Sequence, residues 1–404
     1  MSKNNWKKYT LKNLVSFQTG KLNSNAAIPN GEYPFFTCSQ EIYKTNTYSF
    51  DCECCLLGGN NANAIYPLFY YNGKFDAYQR TYIIQSLDKN KISNKYLYYS
   101  LRLMLDLLKS ISTGAATKFL TITILNNLEI TIPDIITQEK IAKILSNYDD
   151  LIENNNKRIK ILEEMVQKIY KEWFIDFKFP GHETTTFKDS ELGKIPKGWT
   201  IEKVSNISKL SKGKSYKSSE LVDNNSGLPF LNLKCIERDG GFKREGLKWF
   251  VGKYNDSHIV LPEDIIMAVT DMTQERRLVA RPARIPHNWF NKYIMSMDLV
   301  KLMPNIDINK TYFYCLLKYS KFSDEVKNHA NGANVLHLNP QNIENFELVI
   351  AKKETRELFG KIVKNIYNEI DLLNLKNEKL KQSRDILLPR LISGEVDVED
   401  LEIK

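Results

Sequence analysis

A chain of 404 residues exceeds the length at which one hydrophobic core usually stops growing, so two or more domains are expected. Apolar residues make up 42% and charged residues 26%, and no apolar run approaches the roughly 18 residues of a membrane span, which excludes disordered and membrane-spanning classes. The balance of 57 basic against 48 acidic residues, a net +9, permits a polyanionic partner without requiring one.

The opening Met1-Ser2-Lys3-Asn4-Asn5-Trp6 carries no secretory pattern, so a cytoplasmic protein without a membrane partner is expected. From Trp6, the residues Leu11, Leu14, Phe17, Gly20 and Lys21 follow at intervals that return later in the chain. The run Cys52-Glu53-Cys54-Cys55 matches neither a zinc module nor a disulfide framework, and no metal site is expected there. With Leu56 and Leu57 it reads as a buried strand ending at Gly58-Gly59, in which cysteine packs as a small apolar residue. Thr81-Tyr82-Ile83-Ile84 reads as a strand and Lys95 to Leu108 as a helix.

Trp199 opens a second copy, followed at the same intervals by Val204, Ile207, Leu210, Gly213 and Lys214. Further on, Gly114-Ala115 and Leu128 to Ile132 match Gly332-Ala333 and Phe346 to Ile350 at a constant offset of 218. Trp and Gly lie 108 residues apart in the first copy and 133 in the second, so a variable insert sits between fixed flanks. In the second insert, Ile259 to Val269 and Met297 to Leu302 read as strands and Tyr312 to Tyr319 as a helix. A period this long is no solenoid, and each copy should be a full α+β domain.

Each copy ends in a long helical segment. Ile141, Leu145, Tyr148, Ile152, Asn155, Ile159, Leu162, Val166, Ile169 and Trp173 alternate by four and three, as do Phe359, Val363, Ile366, Ile370, Leu373, Asn377, Leu380, Arg384, Leu387 and Leu391. Such sustained heptads point to coiled-coil pairing. Antiparallel overlap with facing numbers summing to 532 sets Asn155 opposite Asn377, Ile152 on Leu380, Ile159 on Leu373 and Leu162 on Ile370. Two facing amides inside an apolar seam satisfy each other and fix the register. Pro389 is expected to stop the second helix near Leu388, which puts the outermost layer, Ile141 with Leu391, in question.

Ile132-Pro133 with Gln138-Glu139-Lys140-Ile141-Ala142-Lys143-Ile144-Leu145, the stretch Ile169 to Phe177 before Pro180-Gly181, the re-entry Gly193-Lys194-Ile195-Pro196-Lys197-Gly198-Trp199 and the closing Leu388-Pro389-Arg390-Leu391-Ile392-Ser393-Gly394-Glu395 resemble specificity subunits of Type I restriction-modification systems. The resemblance covers nearly the whole chain. It implies an α+β protein with two tandem-repeated α/β target-recognition domains, separated by two long helices that form an antiparallel coiled coil. The implied divisions are a first domain over 1–136, a helix over 137–178, a second domain over 179–353, a helix over 354–392 and a tail over 393–404. It also implies that each domain reads one half of a bipartite double-stranded DNA target. Two modification subunits would dock on the helices, carrying the S-adenosylmethionine and methylating adenine at N6, and restriction subunits would join the complex. No nucleotide loop and no methyltransferase signature of the Asn/Asp-Pro-Pro-aromatic type occurs in the sequence, so this chain is expected to hold no cofactor and do no catalysis itself. A coiled-coil scaffold that binds no DNA stays open as the alternative.

Candidate DNA contacts follow from loop chemistry. In the first insert they are Asn60, Asn61 and Asn63 in the loop after the cysteine strand, then Lys74, Tyr78, Gln79 and Arg80 in a turn from Gly73. Thr117 and Lys118 follow in the loop from Thr113. Gln suits adenine and Arg suits guanine in the major groove. In the second insert Lys212, Lys214 and Lys217, with Lys209, resemble a phosphate-binding strip. Thr273, Gln274, Arg276 and Arg277 follow a strand, with Arg281 and Arg284 extending their charge, and Asn334 and His337 occupy the counterpart of the first copy's third loop. The plainer account makes all of these solvated turns, since Asn and Gly favour turns for backbone reasons.

Overall fold

The computed structural model describes residues 6–61, 64–114, 117–223 and 226–401. Two units emerge: Met1–Glu153 with Glu378–Lys404, and Asn154–Asn377. Both long helices, Ile135–Tyr170 and Lys353–Ile392, contribute residues to each.

The strands of the first unit are, in chain order, β1 (Lys7–Thr10), β2 (Val15–Thr19), β3 (Tyr33–Phe36), β4 (Tyr43–Thr45), β5 (Phe50–Gly58), β6 (Asn60–Asn61), β7 (Leu68–Ala77), β8 (Thr81–Ser86), β9 (Lys118–Phe119) and β10 (Glu129–Ile132). One sheet takes the order β2-β8-β5-β7-β3-β4, antiparallel except for the parallel pair β3·β7. Strand alternation sends Cys55 and Leu57 into one core with Leu11, Tyr96 and Leu97, and Cys54 and Leu56 into another with Phe36 and Phe75. The cysteine run is therefore the buried strand its composition suggested, covered on both faces, and burial pushes the Cys54 and Cys55 thiols far up. A helix over Asn94–Leu103 starts at Ser93, whose hydroxyl accepts from the Tyr96 N–H at 3.1 Å, and packs on β5 and β7. Ile141 and Leu145 of the first long helix share this core with Leu388 and Leu391 of the second.

The second unit holds β11 (Phe187–Lys188), β12 (Ile195–Pro196), β13 (Thr200–Lys203), β14 (Ser208–Lys212), β15 (Leu221–Val222), β16 (Leu228–Leu231), β17 (Lys248–Phe250) and β18 (Ile259–Val260). After these come β19 (Ile265–Ala268), β20 (Thr270–Asp271), β21 (Pro282–Arg284), β22 (Tyr293–Met295), β23 (Leu299–Pro304), β24 (Leu336–His337) and β25 (Glu347–Ile350). The pair β13·β25 repeats β1·β10 in register: Thr200 faces Ile350 as Lys7 faces Ile132.

Here the sheet is split into β14-β23-β19-β21 and β15-β17-β16-β22-β18. The strand expected over Ile259 to Val269 breaks after Val260, because Pro262 lacks a ladder donor and Glu263 turns left-handed at φ 67°. The Asp264 carboxylate steadies the break by accepting from the Leu261 N–H at 2.9 Å. Met297, expected to begin a strand, lies instead in the turn before β23.

The aromatic run from Ile169 to Phe177 ends the first helix in one wide turn and builds the core of this unit. Phe174 stands 4.8 Å from Phe359, and Trp173 5.8 Å from the same ring. Trp199 is fully buried among Phe174, Phe177 and Phe179.

The expected register is present. Asn155 Nδ2 donates to Asn377 Oδ1 at 2.8 Å, and Asn377 Nδ2 donates onward to Asn156 Oδ1 at 2.8 Å. With Arg158 on Glu369 at 2.9 Å and Trp173 on Phe359, rising numbers meet falling ones, which is antiparallel pairing. In the first unit Arg384 occupies a seam position and is neutralised by Asp149, which also accepts from the Tyr99 hydroxyl at 2.7 Å.

The stop expected at Pro389 is a misreading. The helix continues to Ile392, and Ile141 and Leu391 are both buried. Proline this close to a helix end removes one bond to the carbonyl four residues earlier, and the apolar layer beyond it holds the last turn in place.

Candidate nucleic-acid interface

In the first unit three of the expected segments converge. β6 pairs with β9, setting Asn60 opposite Phe119 and Asn61 opposite Lys118. The turn Tyr78-Gln79-Arg80 joins β7 to β8 beside them: the Gly59 N–H donates to the Arg80 carbonyl at 2.8 Å, and the Arg80 guanidinium lies 5.6 Å from the Phe119 ring. Gln79 and Arg80 are exposed, and Tyr78 is half-buried. Thr113 and Phe119 exchange backbone bonds of 3.1 and 2.7 Å, closing the loop that carries Thr117 and Lys118. Gly114 is required there: its φ is +104°, and a Cβ would meet the Thr117 carbonyl oxygen at 2.1 Å. Asn63 lies outside the described residues.

Lys74 departs from the expectation. It sits within β7 opposite Asp51, its ammonium 4.6 Å from the Tyr48 ring, because the strand runs on to Ala77 and only the last residues of the supposed turn are one.

The second unit repeats the arrangement. β20 pairs with β24, so Thr270 faces His337 and Asp271 faces Leu336. Asn331 and His337 bridge as Thr113 and Phe119 do. Gly332 takes φ +150°, where a Cβ would meet the Val335 carbonyl oxygen at 1.9 Å. Asn334 and His337 are exposed on this loop.

The segment after β20 is tied down more than its composition suggested. Asp271 accepts from the Thr273 N–H and hydroxyl, both at 2.9 Å, and from the Leu278 N–H at 2.7 Å. Burial works against its charge, but the Leu278, Thr273 and Val279 donors outweigh it and hold the carboxyl below its usual range. Gln274 Nε2 donates to the Ala333 carbonyl at 2.9 Å. Arg276, left-handed at φ 52°, donates to the Ala330 carbonyl at 3.3 Å and is half-buried as a strut between the two loops. Arg277 is exposed, 3.6 Å from Glu275. Arg281 pairs with Asp324 at 2.9 Å, and Arg284 is buried against Asp371 at 2.6 Å, so neither adds charge to a DNA-facing surface.

Nor do the lysines form one strip. Strand alternation in β14 points Lys209 and Lys212 to opposite faces, and Lys214 turns inward, 5.7 Å above the Phe250 ring and 3.9 Å from Glu220. Lys212 and Lys217 are exposed. Beside these segments stand side chains that loop chemistry did not single out: Phe119 opposite Asn60 in the first unit, and Met297 and Asp298 beside Val269 in the second. Gln79, Arg80 and Phe119 match Met297, Asp298 and His337 at the repeat's constant offset of 218.

Residues 3–164 and 196–382 match the family described as the Type I restriction modification DNA specificity domain. The chain belongs to the specificity subunits of Type I restriction-modification systems. The MjaIX specificity subunit of Methanocaldococcus jannaschii is 30% identical over 329 residues, spanning 78% of this chain and 72% of that protein. The EcoDI specificity subunit of Escherichia coli is 28% identical over 214 residues, 48% of this chain and 47% of that one. The solved S subunit of a Type-I restriction-modification system from M. genitalium covers 97% of both chains at 19% identity with a TM-score of 0.61, a likeness of fold. The converging loops thus belong to the two specificity domains, one in each matched segment.

Proposed function

We propose that this specificity subunit reads a bipartite double-stranded DNA target, with the domain at 3–164 recognising one half and the domain at 196–382 the other. The observation that carries the reading is the repeated scaffold. The same short strand pair, bridge and left-handed glycine recur in both units, while the side chains they present differ. A fixed frame with variable occupants is what two different half-sites require.

Two modification subunits dock on the paired helices and supply S-adenosylmethionine and the adenine-N6 transfer, with restriction subunits joining the complex, in the cytoplasm where its DNA is found. In the second unit Ile161, Met165, Leu358 and Ile362 stand exposed on the helices, a surface suited to a protein partner. No helix among the described residues is long and apolar enough to cross a membrane.

Mapping methylated adenines in DNA from a host carrying this chain and its modification subunit tests the proposal, with a two-part motif expected. The chain alone with S-adenosylmethionine should methylate nothing, and transfer by the isolated chain would overturn the division of labour. A complex without salt-dependent DNA binding would favour the scaffold.

A further inference from the structure

One turn beside the candidate interface is built alike in both units. In the first, β7 and β8 meet through Tyr78-Gln79-Arg80-Thr81, closed by the Thr81 N–H donating to the Tyr78 carbonyl at 2.8 Å. In the second, β22 and β23 meet through Ser296-Met297-Asp298-Leu299, closed by the Leu299 N–H donating to the Ser296 carbonyl at 3.0 Å. The outer contacts agree as well. Gly59 donates to the Arg80 carbonyl at 2.8 Å and Val269 to the Asp298 carbonyl at 2.9 Å. Gly20 donates to Thr81 and Gly213 to Leu299, each at 3.1 Å, while Gln79 donates to Leu22 at 3.0 Å and Met297 to Lys214 at 2.8 Å. Gln79 therefore corresponds to Met297, and Arg80 to Asp298.

The chemistry at these two positions is opposed. The first unit offers an amide and a guanidinium, both exposed. The second offers a thioether on a side chain 56% exposed and a half-buried carboxylate. A large apolar side chain standing in water at a tight turn gains nothing for the fold. A carboxylate on a surface that meets phosphates is repelled unless a donor awaits it.

Asp298 is also aimed. Thr270 Oγ1 donates to Oδ1 at 3.1 Å and Ser296 Oγ to Oδ2 at 3.3 Å, which fixes the carboxylate yet leaves acceptor capacity on both oxygens.

Resting on the reading that these domains contact DNA, we infer that this turn is a base-reading position in both halves, and that Met297 and Asp298 set the preference of the second half-site. A carboxylate accepts from the cytosine N4 amine and rejects guanine O6 and thymine O4, while an apolar side chain suits the thymine methyl. The second half-site then carries a cytosine with a neighbouring thymine where the first carries purines read by Gln79 and Arg80.

The test uses the full chain with its modification subunit, mapping the methylated motif and competing single-substituted duplexes for binding. Asp298→Asn is nearly isosteric: its one amide oxygen still accepts from Thr270 or Ser296, and its Nδ2 can donate to the other hydroxyl oxygen, so folding is spared. It should lower discrimination at one base pair of one half-site about tenfold or more, with the other half unchanged. The double change Met297→Gln with Asp298→Arg should shift that half-site toward purines. A wild-type complex without any motif would sink the DNA-recognition reading itself. A wild-type motif that Asp298→Asn leaves intact at every position would sink this inference alone.

Discussion

β5 of the first unit runs unbroken for nine residues, from Phe50 to Gly58, and fills the cores on both its faces with apolar side chains. Its counterpart in the second unit is interrupted between Val260 and Ile265, and a buried ion pair lies nearby: Arg284 of β21 reaches Asp371 of the second long helix, the two side chains 8% and 3% exposed. His287 adds its backbone N–H and Nδ1 to the same carboxylate at 3.1 and 2.9 Å. The first unit has a charged cluster as well, Arg384 with Asp149, but Asp149 keeps 30% of its surface in water. A continuous strand holds its neighbours through ladder bonds, whereas a broken one leaves more of the fastening to side chains. The two units should therefore fail differently when charge is removed.

The largest effect is expected from Asp371→Ala, which strands Arg284 in the interior and should cost about 3 to 5 kcal/mol. Asp149→Ala, with Arg384 keeping Asp385 at 2.9 Å and solvent nearby, should cost about 1 to 2 kcal/mol. Urea midpoints of the two variants check the ranking, and equal losses would mean that burial does not separate these clusters. Next come the loop glycines. Gly332→Ala and Gly114→Ala each force a Cβ onto a carbonyl oxygen, and each should cost more than about 1 kcal/mol and abolish recognition of only its own half-site. Methylation mapping reads this directly, and loss of both half-sites from either single change would break the parallel between the loops.

A smaller difference is expected in acid. Asp271 corresponds to Asn61, so at this position the second unit has a carboxylate, which holds the loop through Thr273, Leu278 and Val279, where the first has an amide. Its folded pKa is depressed, so the stability it contributes is present above the unfolded value of about 3.9 and is lost as pH falls through the folded one. Hydrogen exchange should show the amides of Leu278 and Val279 opening below pH 4 while that of Gly59 stays protected. Equal loosening of the two would remove Asp271 as the cause.

Much of this was legible before any coordinates. The repeat at an offset of 218 marks two like domains, and the heptads with one asparagine each set the helix register, because both signals are regular spacings that survive in the sequence; which strands pair was not legible. Arg276, Arg284 and Lys214 were misplaced for a common reason: charge in a sequence says nothing about whether a carbonyl or carboxylate lies within reach once the chain folds. Pro389 was misread because its local rule ignores the apolar layer beyond it. Asp298 lies 218 residues after Arg80, at the repeat's own offset, yet a lone acidic residue there does not suggest a base contact until the shared backbone bonds set both in one turn.

The smallest effect sharpens the comparison at its earliest shared motif, Gly-Lys after the second strand of each repeat. Lys21 is exposed, its ammonium 5.7 Å from the Phe50 ring, while the Lys214 side chain is only 19% exposed and already faces Glu220. A phosphate contact releases counterions, and each one lost should lower the slope of log binding constant against log salt by about 0.9. Lys21→Ala, and Lys212→Ala at a residue that is also exposed, should each lower the slope by about that much and weaken all sequences alike, leaving the motif unchanged. Lys214→Ala should leave the slope nearly where it was and appear in thermal stability instead, because its charge is balanced within the fold and its stem packs on an aromatic ring. Titrations of the complex with one duplex at several salt concentrations separate the two behaviours. If Lys214→Ala lowered the slope as much as Lys21→Ala, the two lysines would be doing the same work, and the inward turn of the second would have no bearing on DNA.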